Sequence, residues 1–239
     1  MELSDRLSAV AAMVTKGNCV CDVGCDHGYI PIYLVLNHIS PKVIAMDVKM
    51  GPLQRAASHI KAYGMTEYIE TRLSNGVEKL KIGEVQTVIC AGMGGRLMST
   101  ILTEGKAVID TLEELILQPQ SELEYFRSFL EEQGYVIIKE DMVQEEGKFY
   151  PMMKVVPKGR ETGVSFVPKH LAQKYGGLLL EERHPVLKEF LEYQTKKQTE
   201  ILLRLSDSLD AERMKKRRSE IELELCHLAQ ALAYYEKRD

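Results

Sequence analysis

Residues 19–29 read Cys-Val-Cys-Asp-Val-Gly-Cys-Asp-His-Gly-Tyr, and the next seven complete an apolar stretch, Tyr29–Leu36, with Pro31 near its start. A short apolar run with β-branched residues that meets a glycine turn (Gly24, Gly28) and opens a helix with proline in its first turn is the repeating unit of an α/β sheet. Loops of this kind, at the carboxyl ends of parallel strands, hold ligands.

Toward the carboxyl terminus the unit recurs. Lys42–Val48 is a buried strand with Asp47 at its carboxyl end, 19 residues beyond Gly28. A carboxylate there is placed to accept hydrogen bonds from a ribose. That role is preferred over a helix cap, because Gly51 and Pro52 open the next helix (Leu53–Tyr63, closed by Gly64) and Asp47 stands early for capping it. Tyr68–Leu73 is a third strand, followed by the turn Ser74-Asn75-Gly76, where Asn75 can present an amide to an adenine edge. Val85–Cys90 is a fourth, running into Ala91-Gly92-Met93-Gly94-Gly95. Three glycines in four residues after a buried strand mean close backbone approach or positive φ. With the fourth strand beside the first, the two glycine-rich loops face each other across the point where the strand order reverses.

A helix near Arg96–Glu104, a helical stretch Ala107–Leu112, a strand Leu115–Gln118 and a helix Ser121–Gln133 follow, the last with Ser121 and Glu124 spaced as a capping box and Gly134 at its end. Tyr135–Gln144 and Lys148–Val156, joined by Glu145-Glu146-Gly147, form a hairpin instead of another crossover. Upstream, apolar positions 3, 7, 10, 11 and 14 give a lead-in helix, capped by Ser4 or Asp5. Its Arg6 can reach over the following loop, but a solvated charge is the preferred reading.

Pro157–Gly177 has the composition of a linker with one helical turn. Beyond it Leu187, Leu191, Gln194, Gln198, Ile201 and Leu205, and then Ile221, Leu225, Leu228, Leu232 and Tyr235, step by alternating fours and threes. Two such seams, separated by a polar turn near Asp207–Asp210, predict an antiparallel helical hairpin of coiled-coil type, with Gln194 and Gln198 packing imperfectly. The expected organisation is therefore a Rossmann-like domain over 1–157 with a terminal antiparallel hairpin in its sheet, and a linker plus helical hairpin over 158–239.

The net charge of −4 conceals an asymmetry: residues 165–239 carry 14 Lys and Arg against 13 Asp and Glu, the remainder 17 against 22. The absence of an apolar leader, or of any apolar run near 18 residues, argues against secretion and membrane insertion, so a cytoplasmic protein is expected. Five cysteines, three within one strand and turn, do not make a disulfide framework. Small buried thiols are common in cores, and no metal is expected.

The dinucleotide fingerprint G-x-G-x-x-G, started at Gly24, requires glycine at 26 and 29, where the chain has Asp26 and Tyr29. Asp26 beside a pyrophosphate would also repel it, by several kcal/mol before screening. A cofactor with an ammonium, a sulfonium and a ribosyl adenine, S-adenosylmethionine, suits an acidic turn better.

Asp22-Val-Gly-Cys-Asp-His-Gly28 resembles motif I of class I S-adenosylmethionine-dependent methyltransferases, with Asp26 where many members carry glycine. Together with Leu3-Ser-Asp-Arg-Leu7, Ala91-Gly-Met-Gly-Gly95 and the C-terminal helical hairpin, the whole chain resembles the bacterial tRNA (adenine-22-N1)-methyltransferase (TrmK) family. The resemblance implies methyl transfer to N1 of a tRNA adenine. It implies cofactor contacts from Gly24, Asp26, His27 and Gly28 around the methionine moiety, Asp47 at the ribose, Asn75 and Gly76 near the adenine and Gly92, Met93 and Gly94 near the reacting methyl, with Asp22, Cys25, Val48 and Ala91 as further cofactor-binding candidates. Asp26, His27, Gly92 and Met93 are the catalytic candidates. Asp26 is assigned first to the cofactor and secondly to electrostatic stabilisation, while His27 either bonds the target base or braces the turn. Tyr29 is read as core in preference to a base-stacking residue. Arg213, Lys215, Lys216, Arg217 and Arg218 are candidates for tRNA phosphates, with a solvated helix face, balanced by Glu220, Glu222 and Glu224, as the other reading. Alternatives are a methyltransferase of another RNA or a small molecule, and an idle S-adenosylmethionine-binding interaction protein. A monomer is expected, with dimerisation through the helical hairpin left open.

Overall fold

The computed structural model describes residues 1–157, 166–205 and 211–236, apart from the side chains of 211–213. The chain divides into two compact units, Met1–Gly163 and Val164–Asp239. The first opens with α1 (Asp5–Ala12), capped by the Ser4 hydroxyl, which accepts the Leu7 N–H. It continues through β1 (Val20–Val23), α2 (Tyr29–Leu36), β2 (Val43–Asp47), α3 (Met50–Ala62), β3 (Ile69–Leu73), β4 (Thr87–Gly94), α4 (Gly95–Glu104), α5 (Lys106–Ile109), β5 (Glu114–Ser121), α6 (Leu123–Glu132), β6 (Val136–Glu145) and β7 (Lys148–Val156).

The sheet runs β3-β2-β1-β4-β5-β7-β6. Its first five strands are parallel, and β7 is antiparallel to both β5 and β6. Central parallel strands are covered on both faces, so they are largely apolar, with Asp22 in β1 a buried exception. Alternate residues then enter opposite cores. Cys21 and Val23, Ile44 and Met46, and Val88 and Cys90 fill one core, while Val20, Val43, Ala45 and Ile89 fill the other. The strand order reverses between β1 and β4, which puts the ligand crevice at their carboxyl ends.

Several local expectations change. The β4 ladder continues through the glycine segment to Gly94, with irregularities between Ala91 and Met93 and between Met93 and Gly94, so that segment is bulged strand and not free loop. α3 starts at Met50, three residues earlier than expected, with Gly51 and Pro52 inside its first turn, where proline's missing N–H costs nothing. The capping box fails. Ser121 is the last residue of β5, and Glu122 caps α6 from left-handed backbone (φ 56°) without a side-chain bond. Sheet pairing extended β5 past Gln118 and consumed the residue the local pattern had reserved for the cap. The β6–β7 turn is two residues, Glu146 and Gly147, both at positive φ, because Glu145 pairs with Lys148.

In the second unit the described elements are α7 (Lys169–Tyr175), α8 (Gly177–Glu181), α9 (Pro185–Arg204) and α10 (Ala211–Glu236). α8 was not expected. α9 and α10 pack on each other, and the buried positions Leu187, Leu191, Ile221 and Leu228 belong to the expected seams, joined by Ala231, which does not. The buried Gln198 Oε1 has no hydrogen-bond partner, consistent with a glutamine in an apolar seam. The turn at 207–210 lies outside the described residues.

Candidate active site at the carboxyl edge of the sheet

The turn after β1 is tied to its neighbour. The N–H groups of Gly24 and Cys25 both donate to the Met46 carbonyl at the end of β2, at 2.8 and 2.9 Å. Gly24 and Gly28 sit at φ +75° and +72°, and a Cβ on Gly24 would lie 2.3 Å from the Met93 Cε. The second glycine segment thus sits directly over the first, as the strand order requires. Gly28 caps α2 and lies against Ala56 of α3.

Three carboxylates surround this turn. Asp22 is buried, and burial followed by the charge of Asp47 pushes its pKa up to about 7. Asp47 Oδ1 accepts the Lys49 N–H at 2.8 Å, a local turn bond that precedes the helix and leaves the other oxygen to a ligand. Asp26 is exposed, at φ 28°, and pairs with Arg55 of α3 at 3.1 Å. His27 Nε2 lies 3.6 Å from Asp26 Oδ1, whereas its buried Nδ1 has no hydrogen-bond partner. The same residue's carbonyl accepts from His59 Nδ1 at 2.9 Å, which fixes the proton of His59 on that nitrogen.

Tyr29 is not core. Its side chain is exposed, and its ring lies near-parallel to His27 and His59, with centroids 5.3 and 5.7 Å away. His27 and His59 are 5.6 Å apart. Helix α2 is apolar on all sides, and its first residue is the one that is exposed, at the rim. His59 and Arg55, four residues apart on α3, were missed. The i, i+4 spacing was visible, but only α3's packing beside Gly28 aims both at the turn.

Arg6 is not simply solvated either. Its Nη1 donates to Gln118 Oε1 at 3.0 Å, and that oxygen also accepts the Gly92 N–H at 3.2 Å. The Arg6 guanidinium lies over the Tyr150 ring, 5.4 Å from its centroid. Buried Gln118 was also missed as a site residue, since nothing in the sequence pairs it with Gly92.

Asn75 is exposed and Gly76 half-buried in the turn after β3, where a Gly76 Cβ would lie 3.0 Å from Ile101; they line a small cavity with Val77, Glu78, Ile101, Glu104 and Gly105. Val48 is exposed. Burial pushes the thiols of Cys21, Cys25 and Cys90 upward, that of Cys90 to about 12, so these cysteines are thiols at neutral pH. Among the described residues no group of three or more His, Cys, Asp or Glu is placed to hold a metal.

In the second unit Lys215, Lys216, Arg217 and Arg218 are all exposed on α10. Arg217 pairs with Glu220 and Arg218 with Glu222, at 3.1 and 3.0 Å. Exposed pairs of this kind contribute little to stability. The side chain of Arg213 lies outside those described. No described helix is long and apolar enough to cross a membrane.

Residues 3–153 match a family model described as a methyltransferase domain. The chain is 30% identical to the tRNA (adenine(22)-N(1))-methyltransferase of Bacillus subtilis over 221 residues, 92% of this chain and 93% of the relative. Among solved structures, the B. subtilis m1A22 tRNA methyltransferase TrmK superposes with a TM-score of 0.85 at 29% identity, covering 97% of this chain and 99% of the other. A Streptococcus pneumoniae putative tRNA (m1A22) methyltransferase in complex with S-adenosyl-L-methionine superposes with a TM-score of 0.83 at 31% identity, covering 97% and 100%.

Proposed function

This chain belongs to the tRNA (adenine(22)-N(1))-methyltransferase family, within the methyltransferase-domain proteins, and on that premise we propose that it transfers the methyl group of S-adenosylmethionine to N1 of adenine 22 in tRNA. The observation that carries this reading is that the similarity to the B. subtilis enzyme runs through 92% of the chain, beyond the methyltransferase domain at 3–153.

The first unit suits the cofactor. The turn at Gly24 and Gly28 is at positive φ and packed against Met93 and Ala56, and the surrounding carboxylates complement a cationic ligand. In this reading Gly24, Cys25, Asp26, His27 and Gly28 contact the methionine moiety, and buried Asp22 underlies them. Asp47, through its second oxygen, and Val48 take the ribose; Asn75 and Gly76 take the adenine. Ala91, Gly92, Met93 and Gly94 border the methyl. S-adenosylmethionine supplies an electrophilic methyl group on a sulfonium.

Adenine N1 carries an in-plane lone pair that is unprotonated near neutrality, so the site requires no general base. What the chain must do is position and desolvate, and positioning alone supplies up to about 7–11 kcal/mol. N1 lies on the Watson–Crick edge, so the base must be unpaired or flipped, at a few kcal/mol. The exposed Tyr29 ring with His27 and His59 offers it a flat surface at the rim. Methylation leaves the adenine cationic, and the carboxylates around the turn, Asp26 foremost, favour the late transition state electrostatically. Lys215, Lys216, Arg217 and Arg218 serve as sequence-independent phosphate contacts.

The test is incubation with an unmodified tRNA transcript and methyl-labelled cofactor, followed by nucleoside mapping. Label in 1-methyladenosine at position 22 is expected. Label in another nucleoside, or none, overturns the reading.

A further inference from the structure

Five arginines lie among the described residues of the first unit. Four have carboxylate partners: Arg55 with Asp26, Arg72 with Glu70 and Glu84, Arg96 with Glu122 and Arg127 with Glu140. Arg6 has no carboxylate partner for its guanidinium among the described residues. The nearby Glu145 carboxylate is spent on the Arg6 backbone N–H, at 3.3 Å. Arg6 is also half-buried, where an unneutralised charge costs more than at the open surface. One of its five donors is used, on Gln118.

Its position is informative. A Cβ on Gly92 would lie 3.6 Å from Arg6 Nη1 and 3.6 Å from Gln120 Nε2, so two donor side chains flank an exposed glycine. Gly92 belongs to the segment assigned to the methyl-transfer edge of the site. The reaction places a positive charge on the target adenine, and a bare guanidinium beside it would oppose that step. An anion arriving with the substrate removes the conflict. Guanidinium geometry matches a phosphate, and a glycine lets the RNA backbone approach.

We propose that Arg6, with Gln120, forms a phosphodiester site above Gly92 that grips the RNA backbone next to the target nucleotide. This rests on the tRNA methyltransferase reading. It makes Arg6 a substrate-binding residue, and it predicts that the enzyme discriminates against an adenine lacking a flanking phosphate.

The experiment measures the tRNA KM of wild type, Arg6→Gln and Arg6→Lys across a salt series, with S-adenosylmethionine affinity and thermal unfolding of each. Glutamine can still donate to Gln118, so the fold around Gly92 is retained. Arg6→Gln should raise the KM about tenfold at low salt and reduce the slope of log KM against log salt by about 1, with cofactor affinity within twofold; Arg6→Lys should restore the slope. A uniform loss with unchanged slope would show that Arg6 only braces Gly92 and would overturn the proposal. A loss of cofactor affinity would overturn it by assigning the guanidinium to the methionine carboxylate. Wild type that methylates no tRNA would bring down the parent reading and this one together, whereas active wild type with indifferent variants sinks this one alone.

Discussion

The two glycine segments that meet at the β1/β4 crevice are built in different ways. Gly24–Gly28 is held by backbone: its first two N–H groups share the Met46 carbonyl, and its charges, Asp22 and Asp26, lie inside the same seven residues. Gly92–Gly94 keeps an irregular backbone pairing with β5, but at its bulge the Gly92 N–H is held by a side chain, Gln118, and Gln118 by Arg6. The turn after β1 is tied by backbone to the adjacent strand β2, and the segment at the end of β4 also depends on side chains from distant elements. In the proposed assignment the first segment takes the constant cofactor and the second faces the substrate, so the coupling to distant residues falls where specificity would be adjusted.

The charge of the first turn gives the largest effect. Asp22 has a folded pKa of about 7 against an ordinary 3.8. A raised carboxyl pKa contributes stability that is full below about pH 4 and lost as pH rises through 7. Asp22→Asn should therefore gain on wild type between pH 5 and 8, by up to about 4 kcal/mol in denaturant unfolding. Cationic cofactor should lower this pKa, so binding near pH 6.5 should release protons in calorimetry across buffers of different ionisation enthalpy. Equal stability profiles for the two proteins would show that the first turn carries no such charge.

Contact between the segments is tested next. Gly24→Ala puts a side chain at φ +75° and against Met93. Activity should fall about 100-fold for about 1–2 kcal/mol of stability. Because the Met93 terminus can be removed, Met93→Ala should recover part of the loss, with a coupling of roughly 0.5–3 kcal/mol. Strict additivity would separate the two segments.

Asp47→Asn keeps an acceptor for the Lys49 N–H but removes the charge. It should weaken cofactor binding by about 10- to 150-fold, the range of a hydrogen bond to a charged group, with little effect on unfolding. Gln118→Ala should have the smallest effect on binding: cofactor affinity within twofold, turnover several-fold lower, stability lower by about 1–3 kcal/mol. A loss of cofactor affinity as large as that of Asp47→Asn would mean that the two segments form one rigid cofactor cradle.

Much of this was legible in the sequence where the determinant is local. Short apolar runs ending in glycine turns placed the parallel strands, helix-opening prolines and closing glycines placed crossover helices, and the spacing from Gly28 to Asp47 placed a carboxylate at the end of β2. Tyr29 and Arg6 were misread for one reason: a residue's exposure depends on what packs beside it. Tyr29 lies in an apolar helix yet emerges at the rim, and Arg6 lies on a surface helix yet reaches over the sheet edge to Gln118, 112 residues away. Ser121, which fits a capping pattern, was taken by the ladder between β4 and β5.

By itself the sequence determined a Rossmann-like sheet, an acidic glycine turn unsuited to a dinucleotide, and the family, because each depends on residue types at short fixed spacings. Only the tertiary structure decided how that turn is used: Met93 over Gly24, Arg55 on Asp26, His59 on His27, and Arg6 through Gln118 on Gly92. Those pairings depend on how strands and helices distant in sequence are brought side by side, and no local spacing encodes that.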